Sequence, residues 1–303
     1  RSGEHPGGGQ GLGVVSNPGG ARGGPPAAAP PGDSAREPLE SLSPEKRRLL
    51  ALMLRKKTAG TAWLPGIEGA SEARLRLFCF PHAGGGAAAF RRWHEALPDD
   101  IAVCPVRLPG RESRASEPPF TRMEALVEAL AEAMLPHLAQ PFAFFGHSMG
   151  AGIAFEFARL LRRRGGPLPS RLLVSGARAP QYRLHWTPPP EPTGAELIAQ
   201  LRRLEGIPRE ALEDEEVMRL LLPALRADTS LYRVYVYREE PPLASPIHAY
   251  GGEADPGVAC EHLEAWGRQT TGPFTLRRFP GGHFYLHGGS AAEFLRALEA
   301  DLG

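Results

Sequence analysis

From residue 74 to the C-terminus, short apolar runs alternate with longer amphipathic stretches. Residues 75–80, 101–106, 142–145, 172–175, 247–251 and 274–279 have the length and continuous apolar character of strands buried on both faces. Between several of them, residues 122–138, 149–164, 260–268 and 291–302 carry helical periodicity. Strands separated by helices predict an α/β fold, a mostly parallel central sheet flanked by helices. One interval breaks the rhythm. About 65 residues between Pro180 and Pro246 are bracketed by prolines and carry helical patterning at 194–204 and 215–225. That is too long for a simple connection, and it predicts a helical lid inserted at about 182–240.

Upstream the pattern is different. Residues 1–41 are dominated by Gly, Pro and Ala and carry too little apolar surface to offset the entropy of ordering, which predicts disorder. Residues 42–73 read as a linker outside the main core, with one short helix capped by Ser43 and started by Pro44. The packed domain is expected at 74–303. The chain opens on Arg1 rather than Met, as a fragment or the end of a longer polypeptide would.

Composition narrows the function classes. With 35 basic and 34 acidic residues the formal charge is +1, so neither nucleic acid nor an anionic membrane has an electrostatic claim on the chain. Cys79, Cys104 and Cys260 are odd in number, widely spaced and form no CxxC pair. A disulfide framework or zinc site is not expected, and a reducing cytoplasm suits them. No apolar run approaches the roughly 18 residues that span a bilayer.

The chemistry concentrates in four loops. Gly146-His147-Ser148-Met149-Gly150 matches the nucleophile elbow G-x-S-x-G, with a predicted strand before it and an amphipathic helix after it. Strand-turn-helix is the setting that presents a serine hydroxyl at the top of an α/β-hydrolase sheet; the alternative is a serine in an ordinary helix-capping turn. A serine needs a histidine to take its proton and a carboxylate to orient that histidine, in the chain order Ser, Asp or Glu, His. His283, in Pro280-Gly281-Gly282-His283 directly after the last strand, is the expected base, with His287 the competitor. Asp255, in Glu253-Ala254-Asp255-Pro256, is the expected acid, with Glu253 and Asp228 as alternatives. Two backbone N–H donors must face the oxyanion. Met149 follows the nucleophile, and Ala83 lies in the Gly-rich loop after the first strand. That loop lacks the spacing of a phosphate-binding motif.

Together, Phe80-Pro81-His82-Ala83-Gly84-Gly85, Arg107-Leu108-Pro109-Gly110-Arg111, the elbow, Leu222-Pro223-Ala224-Leu225-Arg226-Ala227-Asp228 and Gly281-Gly282-His283-Phe284 resemble the type II thioesterases that serve polyketide and nonribosomal peptide synthases. The resemblance spans about residues 74–302. It implies the same triad, a lid, no metal or bound cofactor, and hydrolysis of stalled or aberrant acyl groups from the phosphopantetheine arm of acyl or peptidyl carrier proteins. Arg107–Arg111 and Arg226-Ala227-Asp228 read as structural ion pairs and turn stabilisation. The run 43–50 is similar to linkers between synthase modules.

Three other readings compete. A chain-releasing thioesterase domain of a synthase uses the same triad. A general carboxylesterase or lipase builds its oxyanion loop differently. A catalytically silent carrier-binding module would not need Ser148, Asp255 and His283. Residues 159–164 offer a basic docking site for an acidic carrier, or arginines that complement a helix dipole.

Overall fold

The computed structural model describes residues 62–185, 187–204 and 213–303. The tail at 1–41 and the short helix expected after Ser43 lie outside them. Six strands form one sheet: β1 (Leu75–Phe80), β2 (Ile101–Pro105), β3 (Phe142–His147), β4 (Leu172–Ser175), β5 (Ile247–Gly252) and β6 (Phe274–Phe279). Their spatial order is β2-β1-β3-β4-β5-β6, and every pairing is parallel.

Alternation along the strands sorts the core into two layers, because successive side chains leave opposite faces of a sheet. Phe78, Phe80, Phe142, Phe144, Leu172 and Val174 pack on one side with Leu126 and Leu130 of α1 (Met123–Met134) and Phe157 of α2 (Met149–Arg163). Leu77, Cys79, Phe145, Leu173 and Tyr250 face the other side, against Phe294 and Leu298 of α6 (Ala291–Leu302). Phe144 is fully buried, stacked on Phe157 at 5.2 Å and edge-on to Phe80 at 5.3 Å. Such burial stabilises by about 1.5–3 kcal/mol per large side chain. All six residues of β1 and of β3 are buried, as expected where helices cover both faces.

The insertion between β4 and β5 contains α3 (Gly194–Leu204) and α4 (Glu215–Val234), whose Leu197, Leu201, Met218 and Leu225 form a small core of their own. α4 continues nine residues beyond the predicted 215–225, through Pro223. An internal proline loses one hydrogen bond and is tolerated here on an exposed face. After β5, α5 (Cys260–Glu264) is shorter than predicted, and its last turn tightens to a 3-10 helix at Ala265–Gln269.

Four residues placed outside the main core on sequence grounds are part of it. Trp63, Leu64, Ile67 and Ala70 are buried in the same cluster as Phe78 and Phe144. The Arg114 guanidinium lies 4.2 Å above the Trp63 ring, and the Trp63 carbonyl accepts the Arg107 N–H at 2.7 Å. Their Gly-rich flanks hid the apolar contribution. Among the described residues, no helix is long and apolar enough to cross a membrane.

Candidate active site

A parallel sheet gathers the C-terminal ends of its strands along one edge, and the loops that leave β1, β3, β5 and β6 meet there. β3 turns into α2 within a single residue. Ser148 takes φ 54° and ψ −116°, a conformation rare for a non-glycine residue, and its N–H is held by the Ser175 carbonyl at 2.7 Å. Its side chain makes no capping hydrogen bond to α2, so the capping-turn alternative does not describe this serine. The flanking glycines leave no room for more. A Cβ on Gly150 would stand 2.1 Å from the Phe80 carbonyl oxygen, and one on Gly146 would stand 2.2 Å from that of Gly150. The helix start is thereby packed directly against the end of β1.

The loops after β5 and β6 are sewn together by backbone bonds. The Glu253 N–H donates to the Phe279 carbonyl and the Ala254 N–H to that of Gly281, both at 2.9 Å. This registration brings Asp255 Oδ2 to 2.6 Å from His283 Nδ1, both side chains being buried. Asp255 Oδ1 accepts the Gly257 N–H at 2.8 Å. His283, and not His287, meets a carboxylate. His287 instead stacks near Phe284, with burial lowering its pKa. Of the alternative acids, Asp228 is committed to Arg111 by two bonds of 2.7 and 2.8 Å.

Two cavities reach Ser148. One of about 860 Å³ is lined by Ala83, Met149, Pro189, Thr229 and Tyr232 beside the serine. The other, about 340 Å³, is lined by His283, Gly176, Val258, Tyr182 and again Tyr232. Tyr232 of α4 and Arg183 line both of them. The Arg183 guanidinium lies 4.0 Å over the Tyr232 ring and donates to the Tyr232 carbonyl at 2.6 Å. Ser148, Ala83 and Met149, singled out from sequence, therefore share one wall, and Ser148 and His283 share another. Among the described residues, no three or more His, Cys, Asp or Glu side chains are grouped to hold a metal ion.

A model described as the Thioesterase domain family matches residues 75–302. The chain belongs to the thioesterase family. It is 44% identical over 230 residues to the gramicidin S biosynthesis protein GrsT of Aneurinibacillus migulanus, covering 74% of this chain and 88% of that one. The RedJ thioesterase from the prodiginine biosynthetic pathway in Streptomyces coelicolor superposes with a TM-score of 0.72 at 42% identity, over 77% of this chain and 92% of that one. The type II thioesterase BorB from the borrelidin biosynthetic cluster gives 0.69 at 37% identity, over 78% and 97%.

This thioesterase carries a polar layer beneath the site that sequence reasoning missed. His147 Nδ1 lies 2.9 Å from Ser175 Oγ, which is 2.6 Å from the Tyr285 hydroxyl, and the His147 ring is 5.0 Å from that of His283. Burial holds His147 neutral, and it pushes His82 down to about 3 with help from His287, His283 and Arg111. The only sequence signal was their position, one residue from Ser148 and from Ala83. The basic run at the end of α2 is paired internally. Arg159 is buried against Glu156 at 2.5 Å and Glu240 at 2.9 Å, Arg162 and Arg163 also engage Glu240, and Arg164 pairs with Glu128. Of these, Arg159 is buried, whereas Arg163 and Arg164 pair at the surface.

Proposed function

We propose that this thioesterase hydrolyses acyl groups from the phosphopantetheine arm of acyl or peptidyl carrier proteins in polyketide or nonribosomal peptide biosynthesis, editing stalled or aberrant chains. Ser148 attacks the thioester carbonyl, and its proton passes to His283 Nε2, the ring nitrogen left over once Nδ1 faces Asp255. The carboxylate fixes that tautomer and stabilises the imidazolium. The oxyanion is held by the N–H groups of Ala83 and Met149, the latter at the positive end of α2. His283 then protonates the departing thiolate; a thiol pKa near 8.5 makes that assistance modest. Water, activated by the same histidine, releases the acid and restores Ser148.

The observation that carries this reading is the His283–Asp255 pair, at 2.6 Å, with His283 lining the same cavity as the uncapped elbow serine. The likeness to GrsT, RedJ and BorB supports the carrier-borne substrate class, and the free thiols Cys79 and Cys104 suit a cytoplasmic setting. Ala83 and Met149 line the larger cavity, which we assign to the acyl group; the smaller is assigned to the pantetheine thiol.

The test presents one short acyl group on a carrier protein, on free pantetheine, on coenzyme A and as an oxygen ester. Fastest hydrolysis on the carrier and negligible action on the oxygen ester are expected. Preference for the ester would make the chain a general esterase, and cyclisation of a full-length chain would make it a chain-releasing enzyme.

A further inference from the structure

Two sequence blocks have no part in the triad, the loop at 107–111 and the segment ending at Asp228, and both converge on a third, the Gly-rich loop that carries Ala83. Asp228 on α4 is buried and accepts three hydrogen bonds. Its Oδ2 takes the Gly84 N–H and Arg111 Nη1, each at 2.8 Å, and its Oδ1 takes Arg111 Nη2 at 2.7 Å. Arg111, also buried, donates through Nη1 to the Gly85 carbonyl at 2.8 Å. The fork thus grips the loop at one peptide while the carboxylate grips it at another.

Between those grips the loop has little freedom. The Gly85 N–H bonds the His82 carbonyl at 2.9 Å, and that carbonyl belongs to the peptide unit whose N–H is Ala83's. In a trans peptide the two point in opposite directions, so fixing one aims the other. Gly84 takes φ +75°, which glycine adopts without strain, and a Cβ there would meet Leu225 at 3.3 Å and Leu221 at 3.4 Å. Leu221, Leu225 and Asp228 recur at helical spacing along one face of α4, and that face lies on the loop.

The partner loop carries strain of its own. Glu112 has φ 51°, a conformation costing roughly 1–2 kcal/mol for a non-glycine residue. It is held there with one carboxylate oxygen on the Ala88 N–H at 2.9 Å and the other on Arg107 Nε at 3.0 Å. Strain of this kind persists where the surroundings over-determine it, and it clusters at functional sites. Here it aligns Arg111 beside the loop that the pair grips.

We propose that Asp228 and Arg111 are positioning residues for the oxyanion hole: the buried pair, lodged between the lid helix and the loop at 107–111, aims the Ala83 N–H by clamping the peptides that follow it. The inference rests on the reading of Ser148 and Ala83 given above. An ion pair that merely stabilises the fold would be felt in melting temperature and in ground-state binding. One that aims an oxyanion donor is felt in the transition state.

Hydrolysis of one acyl-pantetheine thioester is measured with the full chain and with Asp228→Asn and Arg111→Lys, together with inhibition by a trifluoromethyl ketone of matching chain. Ser148 Oγ adds to the ketone carbon, its proton goes to His283, and the carbonyl oxygen becomes the oxyanion. Expected for both variants is a fall in kcat of about 10- to 100-fold, with KM within about threefold and ketone affinity weakened in proportion to kcat. Unchanged ketone affinity, or a raised KM at constant kcat, overturns the inference. Should Asp228→Asn not fold, Arg111→Lys, which keeps the charge and loses the paired fork, decides alone. A wild-type chain without thioester turnover, or one whose turnover survives Ser148→Ala, overturns the reading of the site itself. Normal variants of an active, Ser148-dependent enzyme overturn the positioning role alone.

Discussion

Asp255 Oδ2 lies 2.6 Å from His283 Nδ1 across a sequence separation of 28 residues, with both side chains buried. If the carboxylate orients the base, Asp255→Asn leaves a side chain of the same shape that permits the wrong tautomer. We expect kcat to fall by about three to four orders of magnitude. His287→Gln, which touches no carboxylate, should stay within about tenfold of wild type. Steady-state kinetics on an acyl-pantetheine thioester read both, and a larger loss for His287→Gln would transfer the base to that residue.

Ser148→Ala should lower turnover by about a thousandfold or more while leaving the melting temperature unchanged. Ser148 is only partly buried and its side chain makes no capping bond, so removal of the hydroxyl costs the fold little. Retention of more than about a tenth of wild-type activity at an unchanged melting temperature would remove Ser148 from the mechanism.

Three histidines around the site have pKa values lowered by burial: His82 to about 3, and His147 and His287 below the ordinary 6.5. The native state holds them neutral, whereas the unfolded chain protonates them. Stability is therefore fully present above about 6.5 and is lost as pH falls from there towards about 3. Each group steepens the loss by up to about 1.4 kcal/mol per pH unit. Denaturant midpoints measured between pH 7 and pH 4 should fall steeply, and less steeply by about one proton in His82→Gln. An unchanged slope would mean that His82 is protonated in the folded protein.

Tyr232 lines both cavities, and a Cβ on Gly152 would stand 2.9 Å from its Cε2. Tyr232→Ala should join the cavities and raise the relative rate on long or branched acyl groups by about tenfold against an acetyl group. Competition between acetyl and decanoyl thioesters measures the ratio; an unaltered ratio would show that the ring does not bound the acyl site.

The strands were legible because a parallel sheet buried on both faces leaves continuous apolar runs, and the elbow because its glycines are sterically required. His283 was singled out by its place after β6, and the fold sets it against Asp255. Other features depend on contacts that no local pattern records. Arg111 and Asp228 are 117 residues apart, so their pairing is invisible until the fold brings α4 onto the Gly-rich loop. The helical pattern was legible only to residue 225, whereas packing by Ala227 and Leu231, beyond that pattern, carries α4 on to Val234. Arg159 read as surface charge because an arginine in a basic run is usually solvated; here it lies between the Phe155 and Tyr237 rings, at 5.3 and 5.0 Å.

The pair of cavities at Ser148 also bears on the order in which products leave. On the proposed assignment, the acyl group and the thiol occupy separate chambers whose walls share Ser148, Arg183 and Tyr232. Once the acyl-enzyme forms, the thiol chamber empties while the other remains plugged, and the vacated side, walled by His283, is where water enters. The carrier can thus detach before the acid is freed, so a slow second step would not hold the synthase captive. Rapid mixing with a thiol-reactive dye should then reveal one equivalent of thiol released in a burst ahead of the acid; simultaneous release of the two would show that the chambers empty as one.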